Sequence, residues 1–137
     1  MIGIVIVTHG QLGESLIETA GIIIGSRPKA LISISIDLNQ SAEKLREKIV
    51  SGIKKVDKKD GVLILTDMFG GTPSNLSYSL LEEGRIEVIS GANLPILIQA
   101  INIRAKMELS QLATSLEAFG KKSISLASGI LKGNKRS

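Results

Sequence analysis

The sequence predicts an α/β fold, a doubly wound parallel sheet with helices on both faces, and three observations carry that expectation. Four short runs rich in Ile, Leu and Val alternate with stretches whose apolar residues recur at helical spacing. The connections are short and punctuated by Gly, Pro, Asn or Asp. Aromatic residues make up 2% of the chain while hydrophobic residues make up 43%, so the core is aliphatic, as suits strands buried on both faces.

Ile2–Val7 is continuously apolar and β-branched, and reads as the first strand. From Leu12 to Ile24 the apolar positions Leu12, Leu16, Ile17, Ala20, Ile23 and Ile24 follow helical spacing, with Gly25 as C-cap and Pro28 blocking resumption. Ala30–Ile36 alternates as a second strand. Ser41 then N-caps a helix to Val56 that places Leu45, Ile49, Ile53 and Val56 on one face. Gly61–Thr66 is a third buried strand, followed by the loop "DMFGGTP" and a helix over Ser74–Leu81. Ile86–Ser90 is a fourth strand, and helical stretches follow over Ile96–Ile101 and Glu108–Phe119. "SISLA", Ser123–Ala127, reads as a final short strand at a sheet edge or reaching across to another subunit.

No repeat or linker divides the 137 residues, which are expected to form one domain over 1–137. The absence of cysteine excludes disulfides, thiol catalysis and thiolate metal sites. No apolar run reaches the roughly 18 residues of a membrane span, and "MIGIVIV" lacks the basic region of a secretory signal, so a cytoplasmic location is expected. The net charge of +4 is concentrated in Lys54–Lys59 and Lys132–Arg136. These read as a solvated helix end and a terminus. One tyrosine and two phenylalanines give no interleaved aromatics for nucleic-acid binding.

In doubly wound sheets ligands bind at the carboxyl ends of the strands, where the strand order reverses. Those ends carry Thr8, His9 and Gly10; Asp37 and Asn39; Asp67 and "GGTP"; and Ser90, Gly91 and Asn93. His9 is the chain's single histidine. If the first and third strands are neighbours, Asp67 lies beside it. A carboxylate that holds one ring nitrogen leaves the other as nucleophile or base. The loop Phe69–Asn75 adds adjacent glycines, whose amides can turn toward an anion, and the hydroxyls of Thr72 and Ser74. Competing chemistries lack parts. There is no P-loop, no Gly-x-Gly-x-x-Gly fingerprint, no Gly-x-Ser-x-Gly elbow and no set of zinc ligands. A receiver-type aspartate would need an acidic pair where Thr8 and His9 stand.

The segments "GIVIVTHGQLGESLIETAGIIIG", "GVLILTDMFGGTPSNLS" and "VISGANLPILIQA", in that order, resemble the IIA component of the mannose-family sugar phosphotransferase system. The resemblance covers essentially the whole chain. It implies four parallel strands in the order 2-1-3-4 and a fifth, antiparallel strand exchanged within a homodimer, for which "SISLA" is the candidate. It implies phosphoryl relay: phospho-HPr donates to His9, and His9 passes the group to a IIB component during sugar uptake. By position, His9 matches the phosphorylated histidine and Asp67 its carboxylate partner. Gly10, Gly70, Gly71 and Thr72 match the surroundings of the phosphoryl group, which is expected on Nε2. No metal or organic cofactor is implied, because the donor is already a reactive phosphoramidate, and the membrane is met only through IIC and IID components. No IIB domain follows within the 137 residues, so that partner is expected on a separate polypeptide. The same feature motivates a regulatory alternative in which the phosphorylation state of His9 controls partner binding without sugar transport. A weaker alternative is an anion-binding module with an inert His9.

Overall fold

The four apolar runs form four parallel strands, β1 (Gly3–His9), β2 (Leu31–Ile36), β3 (Val62–Thr66) and β4 (Ile86–Ser90), in the spatial order β2-β1-β3-β4. This computed structural model describes residues 1–133. The end of the basic tail, from residue 134 on, lies outside them. Among the described residues six α-helices accompany the sheet: α1 (Leu12–Ile24), α2 (Ala42–Val56), α3 (Thr72–Tyr78), α4 (Leu94–Ile103), α5 (Leu109–Lys122) and α6 (Ala127–Leu131), with a short 3-10 turn over Arg104–Lys106 between α4 and α5.

Because successive side chains of a strand point to opposite faces, one strand feeds two cores. Ile4 and Ile6 of β1 join Leu63 and Leu65 of β3 against α1, α4 and α5, where Ile17, Leu97, Leu112 and Leu116 are fully buried. Val5 and Val7 join Ile64 on the other face against Leu45, Ile49 and Val56 of α2. Full burial of each such side chain is worth roughly 1.5–3 kcal/mol. Gly52 lets α2 lie close on β2, since a Cβ there would stand 2.6 Å from Ile34 Cδ1.

The chain leaves β1 for β2 on one side, then crosses back over β1 to β3. The order therefore reverses between β1 and β3, and a crevice opens at their carboxyl ends. His9 closes β1 and Asp67 directly follows β3.

Several boundaries differ from the sequence expectations for local reasons. β2 starts at Leu31, because Ala30 has φ +52°. The helix expected over Ser74–Leu81 runs instead over Thr72–Tyr78. Pro73 suits a first helical turn, while Leu80 and Leu81 bond back only three residues, to Ser77 and Tyr78. α4 begins at Leu94 because the Asn93 side chain accepts from the Ile96 amide at 2.9 Å. Gly25 does close α1, with φ +103°.

The expected strand Ser123–Ala127 is not a strand in this chain. Ser123 caps α5, with its amide and hydroxyl both on Gly120 O, and Leu126 O accepts from Gly129 and Ile130 to open α6. Between these two helix ends residues 124–126 are neither helix nor strand. Ile124 and Leu126 stay 83% and 77% exposed. No helix among the described residues is long and apolar enough to cross a membrane.

Candidate functional site

His9 and Asp67 are 58 residues apart in sequence and bonded in the fold. The parallel register places Val7 beside Thr66, so Asp67 leaves β3 one residue past that pair and His9 ends β1 two residues past it. Asp67 Oδ2 lies 2.8 Å from His9 Nδ1 and also accepts from the His9 amide at 2.9 Å, while Oδ1 accepts from the Met68 amide at 2.9 Å. The carboxylate thus grips both the backbone and the ring of the histidine.

Burial of the Asp67 carboxyl raises its pKa. Hydrogen bonds from the His9 amide and ring, the charge interaction with His9 and the Met68 amide outweigh that effect and hold the group below the ordinary carboxylate range. An ionised carboxylate accepts and cannot donate, so Nδ1 carries the proton of this contact. In the neutral ring the lone pair then resides on Nε2. The Asp67 side chain is 10% exposed and that of His9 39%, so the anchor is sheltered while the ring reaches solvent.

The strand ends hold the histidine's loop from below. Thr8, fully buried, accepts from the Gly13 amide at 2.9 Å and fixes the start of α1. Ser35 Oγ donates to Gly10 O at 2.6 Å. Gly10 itself has φ +53° and is exposed. Across the crevice Gly70 has φ +87°, and Gly71 packs against the imidazole so closely that a Cβ there would stand 3.1 Å from His9 Cε1. Thr72 follows as the first residue of α3, half-buried. His9 and Asp67 are therefore bonded directly and Gly71 lies beside the ring, with Gly10, Gly70 and Thr72 next to them in the chain.

Other candidates serve structure. The Ser74 hydroxyl does not face an open anion site: it is fully buried and accepts from Ser90 Oγ at 3.2 Å. Asp37 accepts from the Asn39 amide in a local turn, and Asn93 caps α4. Ser35 escaped the sequence reading. Its signal was available only as a polar residue inside a strand paired with β1.

The sequence model of the EIIA-man family, the PTS system fructose IIA component, matches residues 3–117. The chain belongs to this family. It is 33% identical over 129 residues to the PTS system fructose-specific EIIA component of Bacillus subtilis, covering 93% of this chain and 88% of that one. It is also 36% identical over 104 residues to the PTS system mannose-specific EIIAB component of Escherichia coli, covering 75% of this chain and 32% of that protein, so it spans about a third of that relative. Among solved structures, a phosphotransferase system component EIIA from Streptococcus agalactiae superposes with a TM-score of 0.82 at 27% identity, covering 93% of this chain and 98% of that one. EIIA components of the phosphotransferase system are phosphotransferases that work with HPr and IIB components in sugar transport.

Proposed function

We propose that the protein is a phosphocarrier whose His9 accepts a phosphoryl group from phospho-HPr and passes it to a IIB component. The observation that carries this reading is the 2.8 Å contact between His9 Nδ1 and a sheltered Asp67 beneath an imidazole that reaches solvent. Proton on Nδ1 and lone pair on Nε2 is the state needed for in-line attack on phosphorus. As the Nε2–P bond forms, the donor's N–P bond breaks and its electron pair returns to the donor imidazole. The transition state is loose, so positioning and electrostatics supply most of the acceleration. Asp67 offsets the positive charge that develops on the ring. The amides of Gly10, Gly70 and Gly71 and the Thr72 hydroxyl hold the phosphoryl oxygens. Exposed Met68 and Phe69, on the loop that carries Asp67, offer apolar contact to protein partners.

The protein acts in the cytoplasm as a homodimer in which the segment 123–127 pairs with the second subunit. Two features support this: the exposure of Ile124 and Leu126, and an open groove of about 590 Å³ along β4, lined in part by Val88, Ile89 and Ile124. Contact with the membrane is indirect, through IIC and IID components.

The test is transfer of labelled phosphate from phospho-HPr. Wild-type protein is expected to take up one acid-labile phosphoryl group, and His9→Ala none; full labelling of His9→Ala overturns the nucleophile assignment. Rapid passage of the label to a IIB protein is the expected second step. Labelling with no passage to any IIB favours the regulatory role.

A further inference from the structure

Behind the loop that carries Asp67, three hydroxyls from two elements meet at the hydroxyl of a third. Thr66, the last residue of β3, donates to Ser90 Oγ at 2.8 Å, and Ser90, the last residue of β4, donates to Ser74 Oγ of α3 at 3.2 Å. The Tyr78 hydroxyl at the end of α3 lies 2.9 Å from Ser90 Oγ. A serine hydroxyl has one proton and two lone pairs. With its proton directed to Ser74, Ser90 accepts from both Thr66 and Tyr78 and is fully satisfied.

The cluster's attachments matter for the site. Thr66 directly precedes Asp67, and Ser74 lies in the first turn after Gly71. The Tyr78 ring packs on Phe69, inside the same loop, with centroids 6.0 Å apart and planes tilted by 48°. Both ends of the loop 67–71 and its middle are thus tied to one hydroxyl hub. The loop contains Gly70 with φ +87°, and it leans on the imidazole through Gly71. Thr66 and Ser74 are fully buried, Ser90 is half-buried and Tyr78 reaches solvent, so the network runs from the core to the surface, and its hydrogen bonds fix direction where apolar packing alone would not.

We propose that the Thr66–Ser90–Tyr78–Ser74 cluster is a positioning device that sets the Asp67–Gly71 loop against His9, with Ser90 and Tyr78 as positioning residues for phosphoryl transfer. This rests on the phosphocarrier reading above. Neither residue touches the reacting atoms; both act through the loop.

Ser90→Ala removes the hub, and Tyr78→Phe removes one oxygen while keeping the ring on Phe69. At saturating phospho-HPr each variant is expected to lose about tenfold in single-turnover transfer rate, since displacements near an ångström cost up to about a hundredfold. KM for the donor is expected to stay within about twofold, and Ser90→Thr, which restores the hydroxyl, to recover the rate. Because the chain has a single histidine, the His9 Cε1–H resonance is one line, and it faces Gly71. That line is expected to move in both variants without phosphate present. Unchanged rates with an unmoved line, a loss confined to KM, or no recovery in Ser90→Thr would overturn the proposal. Should the wild type accept no phosphoryl group, the phosphocarrier reading fails separately. The resonance then decides the loop's positioning: a shift supports it and an unmoved line rejects it.

Discussion

The two ends of the sheet each hold one polar side chain that reaches across strands, and they hold it in opposite ways. At the amino end Arg104, in the turn after α4, is 3% exposed. Its guanidinium donates to the carbonyls of Ile2 at 3.3 Å, Ala30 at 3.1 Å and Lys29. Burial lowers its pKa, and its partners are neutral carbonyls. At the carboxyl end His9 is partnered by a charged carboxylate through one nitrogen while the ring stays accessible. The terminal nitrogens of Arg104 are spent on backbone carbonyls, its buried Nε has no partner among the described residues, and nothing of the group faces solvent to do chemistry. Holding one edge of a ring and exposing the other leaves a nitrogen free to react, which is what the proposed phosphocarrier role needs.

That contrast breaks most sharply when each residue is removed. His9→Ala is expected to reduce phosphoryl uptake to background while lowering unfolding stability by only about 1 kcal/mol, read by urea denaturation. Arg104→Ala is expected to do the reverse. It strips donors from three strand-end carbonyls and should cost about 3 kcal/mol, with the transfer rate per folded molecule unchanged. A stable Arg104→Ala protein, or one that folds but fails in transfer, contradicts the division.

Gly71→Ala sharpens the view of the carboxyl end. Its φ of −86° suits alanine, so the backbone is not strained, yet the new Cβ meets the imidazole at 3.1 Å. The ring must give by a few tenths of an ångström, and transfer is expected to slow about tenfold. Wild-type kinetics in this variant would show the loop to be looser than described.

The smallest effect concerns pH. The folded-state pKa of Asp67 lies below its unfolded value, so its ionised form contributes stability fully above the ordinary carboxylate pKa of about 4. That contribution fades as pH falls through the lower folded value. The stability difference between wild type and Asp67→Asn is therefore expected to shrink from about pH 6 toward about pH 3. A difference that grows on acidification reverses the sign and the argument.

Much of this was legible in the residues, and the limits were physical. Strand runs such as Ile2–Val7 and Gly61–Thr66 announce themselves by unbroken β-branched composition, and their adjacency brings His9 to Asp67. The extent of α3 was misplaced because Pro73 starts a helix as readily as it precedes one. Ser123–Ala127 alternates like a strand, but pairing depends on a neighbouring edge that no local pattern specifies. Ser74 was legible as a hydroxyl near the loop, not as one turned inward. The convergence on Ser90 and the carbonyls around Arg104 depends on contacts between elements distant in sequence.

On the proposed reading, Asp67 fixes the proton on Nδ1 and leaves Nε2 to take the phosphoryl group. Nitrogen-15 NMR of the phosphorylated protein tests it directly, since one histidine gives one ring to read. Phosphorus is expected on Nε2, with Nδ1 protonated and still bonded to Asp67. Phosphorus on Nδ1, or a ring unchanged after incubation with phospho-HPr, would contradict it.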